Sequence, residues 1–376
     1  MRTEKTIRLS KSCLSEAEKI AVMSVMNREY LGMGQEVRQF EQVLTEFFGR
    51  PAVCVSNGTA ALQLALQAAD VGPGDEVLVQ SLTYVASFQA ISATGAIPVA
   101  CDIDPATLTL NWRDAEKRLT SKTKAVMPVH YGGGVGSLGE IYSFAREHRL
   151  RVIEDAAHAF GTNYQGKRVG EFGDISCFSF DGIKNITSGE GGCIVTDDEE
   201  ILLKVRDARL LGVEKDTDRR YVDERSWEFD VSVQGWRYHM SNVMAAIGVE
   251  QLKRSGELFR KRKELARQYD FELAEISGLK PLRHNYDEVV PHIYVVRLSE
   301  NIERQKLREK LSGFGIQTGI HYQPNHQLAL YGAGKVLLPI VDAIYPSLLT
   351  LPLHPGLLET DVEYIAKRLW ELVGHA

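Results

Sequence analysis

No apolar run in the 376 residues approaches the ~20 needed to span a bilayer. The opening stretch MRTEKTIRLSKSC carries basic residues with no apolar segment behind them, so no signal peptide is expected. Cysteine is scarce. Cys13, Cys54, Cys101, Cys177 and Cys193 are scattered, odd in number and never spaced C-x-x-C. That argues against a disulfide framework or a zinc site; reduced thiols in a cytoplasmic protein, with no bound metal, are the expectation. Positive charge is not in excess. The formal net charge is −6, which argues against a nucleic-acid binder, whose surface would carry a basic stripe. Repeats and low-complexity tracts are also missing, which excludes solenoids and compositional linkers.

What is present is ordinary globular material: 44% hydrophobic and 25% charged residues. The length exceeds what one compact core holds, so two units are expected. Residues 14–30 and 34–48 read as helices. In the second, Val37, Phe40, Val43, Leu44 and Phe47 recur at helical spacing before Gly49. Short apolar runs follow at 52–56, 76–81, 97–103, 124–131, 151–157, 175–180 and 193–197. Most are separated by amphipathic stretches of about a dozen residues. This alternation predicts an α/β fold: a mostly parallel sheet covered by helices, with ligands at the carboxyl ends of the strands. A long helix is expected over 241–275. Strand-like segments at 292–298 and 316–322, with helices near 303–313 and 359–372, then suggest a smaller C-terminal α/β domain. The expected division is 1–250 and 251–376.

Several polar groups fall just past predicted strand ends. SNGTAAL follows 52–56, where Gly58 and Thr59 open a helix whose free N–H groups suit a phosphate; an ordinary N-cap is the other reading. Asp155 ends the 151–155 run, and a buried carboxylate there needs a hydrogen bond or a cationic partner. His158 follows three residues on. Lys184, after 175–180, is either a solvated surface amine or a desolvated nucleophile. Together, a phosphate cradle, a buried aspartate and a strand-end lysine match what pyridoxal phosphate requires: a phosphate clamp, a partner for its ring nitrogen and a Schiff-base amine.

At these residues the chain resembles the DegT/DnrJ/EryC1/StrS family of pyridoxal phosphate-dependent sugar aminotransferases. The blocks YLGMGQEVRQFEQVLTEFFG, SNGTAALQLAL, GPGDEVLVQSLTYVAS, GAIPVACDIDPATLTLN, TKAVMPVHYGG, VIEDAAHAFGTNYQGKRVGEFGDISCFSF, KNITSGEGGCIVTDD and MSNVMAAIGVEQL follow in family order. The resemblance implies the aspartate-aminotransferase-like fold, fold type I of the pyridoxal phosphate enzymes. It implies that Lys184 holds the cofactor and acts as general acid–base, with the pyridoxamine phosphate form arising during turnover. By the same resemblance Asp155 pairs with the ring nitrogen and His158 lies near the phenolic oxygen. Gly58, Thr59 and Ser179 contact the phosphate, and Tyr84 stacks on the ring.

The family's GYNYRMS reads GWRYHMS here, with Arg237 where an asparagine commonly reaches the partner subunit's phosphate. Arginine is a strong phosphate ligand, so Arg237 is retained as a candidate. The segment GIQTGIHYQPNHQLALYG nominates His321, Tyr322 and His326 as substrate contacts, and VPHIYVV adds His292; a surface loop is the other reading. The substrates implied are a nucleotide-linked keto sugar, taken at C4 of a 4-keto-6-deoxyhexose, and an amino-acid donor, glutamate. The product would be an amino sugar for a polysaccharide such as O-antigen or for a glycosylated natural product. A homodimer with shared sites is expected, without nucleic acid or membrane. The other readings are a C3 aminotransferase, a lysine-dependent sugar dehydratase and a non-enzymatic cofactor-binding regulator. Because Lys184 is present, transamination is favoured over dehydration.

Overall fold

A computed structural model describes residues 6–332 and 335–374. The strands are β1 (Ala52–Val55), β2 (Glu76–Gln80), β3 (Ile97–Cys101), β4 (Thr123–Met127), β5 (Arg151–Asp155), β6 (Asn163–Tyr164), β7 (Lys167–Arg168), β8 (Ile175–Ser179), β9 (Gly192–Val195), β10 (Leu279–Pro281), β11 (Tyr294–Leu298) and β12 (Leu348–Leu351). The helices are α1 (Glu16–Asn27), α2 (Gln35–Phe48), α3 (Gly58–Ala68), α4 (Val85–Ala93), α5 (Trp112–Lys117), α6 (Leu138–His148), α7 (Glu199–Ala208), α8 (Asp216–Arg220), α9 (Asn242–Lys253), α10 (Ser255–Glu272), α11 (Arg304–Gly313), α12 (Pro339–Ile344) and α13 (Glu359–Val373).

The large sheet has the order β1-β9-β8-β5-β4-β2-β3. Six strands run one way; β9 alone is antiparallel to both its neighbours. The exception has a local cause. A parallel return needs a crossover, usually a helix, and residues 180–191 carry no helical pattern, so the chain folds straight back. The sheet is buried on both faces. Val77 and Val79 point into the core that holds α3 and α4, whereas Leu78 joins the opposite layer with α6. Val53 and Val55 likewise alternate with Cys54, which faces α2 and α9.

Local signals account for the helix ends. Val37, Phe40, Leu44 and Phe48 bury one stripe of α2, and Gly49 stops it in the left-handed region (φ 64°), where glycine has no Cβ penalty. Phe48 stacks on Phe178 of β8 at 4.9 Å, and Phe47 on Phe160 at 5.0 Å. This aromatic layer backs the strand that leads to Lys184.

Two expectations need correction. The 241–275 stretch is two helices, because Arg254 (φ −105°, ψ 11°) leaves helical geometry between α9 and α10. α9 packs on α1 and α2, whereas α10 packs on α13. Residues 316–322 form no strand. Gly319 exchanges both backbone bonds with Thr350 (3.0 and 2.9 Å), and the chain then turns away. The small sheet is instead β10-β11-β12, antiparallel throughout. The first described residues cross to this unit, where Ile7 pairs with Ile316.

The large unit is pinned by a buried charge. Arg209, with no exposure, donates to the Glu41 carboxylate and to the Cys54 carbonyl (2.6 Å). Glu41 also accepts the Cys54 N–H (2.8 Å) and the Tyr221 hydroxyl. One ion pair thereby ties α2, β1 and the ends of α7 and α8. Removing one member strands the other charge in the core. Arg209→Met is expected to cost about 3–5 kcal/mol by urea denaturation, and adding Glu41→Leu to recover part of it. A loss below about 1 kcal/mol for the single variant would put this pair among surface-type bridges and sink the assignment.

Candidate active site

With six strands pointing one way, their carboxyl ends meet at one sheet edge. There lies a cavity of about 640 Å³, within the usual range for a small-molecule site. β1 delivers Asn57, which caps α3 by accepting the Ala60 N–H (2.8 Å). The first turn of α3 opens on the cavity with free N–H groups and the positive end of the helix dipole. Gly58 is required by contact: a Cβ there would lie 2.8 Å from the Ser179 Cβ. Gly58, Thr59 and Ser179 thus line one narrow cradle.

Asp155 ends β5 and is buried. Its carboxylate accepts from the Ser87 hydroxyl (2.7 Å) and the Ala157 N–H (3.2 Å). Among the described residues it has no ion-pair partner, although it faces the cavity. A buried carboxylate of this kind fits a protonated ring nitrogen.

Lys184 rides the turn between β8 and β9, where its N–H donates to the Asp181 carbonyl (3.0 Å). Burial drives the amine down to about 8. Asp155 and Asp181 pull the other way, and the nearby Arg262 charge adds to the fall. Such an amine is partly neutral near physiological pH.

The opposite wall is a relay. Gly132 N–H donates to His158 Nδ1 (3.3 Å), so the ring proton sits on Nε2, which meets the Tyr322 hydroxyl at 3.0 Å. Tyr322 then has its own proton free to donate. Burial, followed by the Lys184 charge, holds His158 well below the usual imidazole range. His321 lines the same wall, anchored by Nδ1 to the Thr350 hydroxyl (2.9 Å), and is pushed by burial and Lys184 down to about 4. Tyr84, 59% exposed, stands at the rim with its ring 5.5 Å from that of Tyr322.

Three candidates lie elsewhere. His326 is buried between the Ser81 hydroxyl (2.7 Å) and Asp342 (3.0 Å), where it ties the segment after Tyr322 to the large unit. His292 sits behind the wall, its ring 4.3 Å from that of His158. Arg237 is exposed and borders a separate cavity of about 130 Å³ with Arg220 and His239. The cause is alternation along an extended segment. Trp236 and Tyr238 turn toward α3, bonding Gln67 (2.8 Å) and Gln63 (3.0 Å), so Arg237 between them faces away.

The cavity also holds residues that sequence reasoning missed: Asn57, Gln63, Asp181, Glu190 and Tyr238, with Ser87 behind Asp155. Some were signalled. Gln63 lies one turn after Thr59, and Ser87 one turn after Tyr84. Asp181 and Glu190 flank the lysine turn, which has no periodicity to read. Among the described residues no cluster of histidine, cysteine, aspartate or glutamate is arranged to hold a metal.

The cradle, the unpaired carboxylate and the low-pKa amine fit pyridoxal 5′-phosphate. The comparisons agree. A model of the DegT/DnrJ/EryC1/StrS aminotransferase family matches residues 12–370. The spore coat polysaccharide biosynthesis protein SpsC of Bacillus subtilis is 36% identical over 362 residues, 94% of this chain and 93% of that one. Spr1654 of Streptococcus pneumoniae, solved in a PLP form and a PMP form, has a TM-score of 0.91 at 30% identity; the PLP form covers 98% of this chain and 99% of that one. Helicobacter pylori PseC, an aminotransferase involved in the biosynthesis of pseudoaminic acid, has a TM-score of 0.90 at 28% identity, covering 98% and 99%. On these grounds the chain belongs to the DegT/DnrJ/EryC1/StrS aminotransferase family and is an aminotransferase whose cofactor is pyridoxal phosphate.

Proposed function

We propose that this enzyme moves an amino group from an amino acid, L-glutamate, to C4 of a nucleotide-linked 4-keto-6-deoxyhexose, making an amino sugar for polysaccharide or glycoside assembly. The observation that carries the reading is convergence: amine, unpaired carboxylate and anion cradle share one cavity. The polysaccharide role in the name of SpsC and the part of PseC in pseudoaminic acid biosynthesis support a sugar acceptor. The choice of C4 rests on the resemblance of the HYQPNH segment, whose His321 and Tyr322 line the wall.

When bound, pyridoxal phosphate supplies the electron sink for breaking and making bonds at the amine-bearing carbon. The chain's residues supply the rest. The α3 N-terminus, with Gly58, Thr59 and Ser179, would hold the phosphate. Asp155 would keep the ring nitrogen protonated, since an adjacent anion raises its pKa. Lys184 would hold the cofactor and then, once displaced by the donor, take a proton from the donor's α-carbon and deliver it to the carbon on the far side of the donor's nitrogen. Tyr322, with His158 at its back, would offer an O–H to the group bound in the cavity. Tyr84 would cover the ring and exclude water.

The assembly proposed is a homodimer with shared sites. α1 leaves Ile20, Met23 and Met26 exposed, and the loop after α8 leaves Trp227 (86%), Phe229 and Val233 exposed. Apolar surface of this kind marks an association face. The role proposed for Arg237, which borders a separate cavity, is in the partner subunit's site. The cytoplasm is the compartment proposed. The five free thiols support it, and no described helix is long and apolar enough to cross a membrane.

Three outcomes are expected. Lys184→Ala should abolish turnover while still binding pyridoxamine phosphate, read by fluorescence; retained turnover would refute the assignment. In cofactor-free protein, modification of Lys184 by an amine reagent should rise with pH to half-maximum near 8. Exposed lysines should do so near ~10.4, because only the neutral amine reacts. A half-maximum for Lys184 at the exposed-lysine value would show that the site does not depress it. Sedimentation should give a dimer, and Trp227→Asp with Met23→Asp should shift it to monomer with loss of activity. A fully active monomer would remove the shared-site proposal.

A further inference from the structure

Among the described residues two arginines are fully buried, Arg209 and Arg262, and they differ in one respect. Arg209 has its carboxylate. Arg262 of α10, 1% exposed, has none among the described residues. Its guanidinium is held only by backbone carbonyls, and its Nε is buried without a partner. Nη1 donates to the carbonyls of His292 (3.0 Å) and Leu353 (3.3 Å). Nη2 donates to those of Ile183 (3.2 Å) and Lys184 (3.4 Å). An ionised group buried without a counter-ion is costly, and four carbonyl dipoles offset only part of that. An apolar side chain of similar volume would remove the buried charge but leave these four carbonyls without their shared donor, so the guanidinium's contribution lies in the segments it joins.

The four carbonyls show what the arrangement does. Two belong to the lysine turn of the large unit and two to the small unit. Asn185, the next residue, ties the same turn to the Phe160 (3.0 Å) and Val290 (3.4 Å) carbonyls. His292, held from behind by Arg262, packs its ring on His158, which bonds Tyr322. A single guanidinium therefore fixes both the backbone of the amine and the wall opposite it.

We propose that Arg262 is a positioning residue for the reaction: its buried guanidinium holds the Lys184 turn against the His292–His158–Tyr322 wall and keeps an unneutralised positive charge beside the amine. This rests on the reading of Lys184 as the reacting amine. The groups that act on that amine are known on every side. Asp155 from β5 and Asp181 from its own turn favour its charged form; burial and Arg262 from α10 oppose them. His158, His292 and His321 are kept neutral by burial and by Lys184 itself. Glu190 lines the cavity at the far end of the turn. Arg262 is the fixed positive charge in this set, so its removal raises the amine's pKa.

The test uses full-length Arg262→Met and Arg262→Lys, with Lys184→Ala as control. In cofactor-free protein, the pH at which Lys184 is half-modified, read by peptide mass spectrometry, should rise in Arg262→Met. It should stay in place in Arg262→Lys, which keeps the charge. Both should lose kcat roughly 10- to 100-fold from the displaced turn, with KM for the sugar little changed. If Arg262→Met folds with an unmoved midpoint, or if Arg262→Lys keeps full kcat, the inference fails. Should the Met variant not fold, Arg262→Lys decides alone: lost kcat with an unmoved midpoint supports the proposal, and full kcat overturns it. If Lys184→Ala itself turns over, the functional reading fails instead, whatever Arg262 does.

Discussion

Taking a charge out of water is costly, and four charged groups of this protein meet that cost in different ways. Arg209 is neutralised by Glu41 and holds the large unit together. Asp155 receives two hydrogen bonds and has no ion-pair partner among the described residues, which leaves it an appetite for a cation. Lys184 yields to desolvation and loses part of its proton. Arg262 stays charged on carbonyls alone. The first satisfies itself within the fold. The other three cluster at the sheet edge, and their unbalanced state is what gives the cavity a chemistry.

How far the sequence disclosed this follows from periodicity. The strands of the large sheet, β11 and most helices were readable because burial repeats every two residues in one and every three to four in the other; β6, β7, β10 and β12 were not read, and the first three are too short to show a period. Lys184, Asp155 and the Gly58 turn were readable because they sit immediately after such runs, where the chain direction is already known. The misreadings fall where the period does not decide. Arg254 interrupts a pattern that stays amphipathic on both sides, so two helices looked like one. Residues 316–322 have strand composition, yet their one pairing within the small unit's sheet is the Gly319–Thr350 bridge. His326 and Arg237 were nominated by motif position. Whether each faces the cavity depends on side-chain direction, which a motif does not carry. Arg262 gave no signal at all, being one basic residue among several on a charged helix.

The relay on the cavity wall shows a different economy. A histidine in a cavity wall invites reading as a ligand in its own right. Here the Nδ1 of His158 is occupied by a backbone N–H, so the ring can only donate, and it donates to Tyr322. The hydroxyl becomes the outward-facing group, and the histidine sets which way that hydroxyl points. Burial keeps the imidazole neutral, so the relay's polarity is stable across physiological pH.

The reversed strand β9 has a consequence for how this loop can vary. Ser179 is paired with Gly192 and Cys177 with Ile194, so the turn carrying Lys184 is clamped at both ends by a fixed register. A Cβ at Gly192 would fall 2.7 Å from the Asn57 carbonyl, leaving no slack for slippage at that end. Inserting or deleting one residue between them would either break the clamp or swing the amine off the Asp155 side. Outside Lys184 and Asn185, a side-chain exchange along residues 180–191 leaves this register untouched, whereas a change in the segment's length does not.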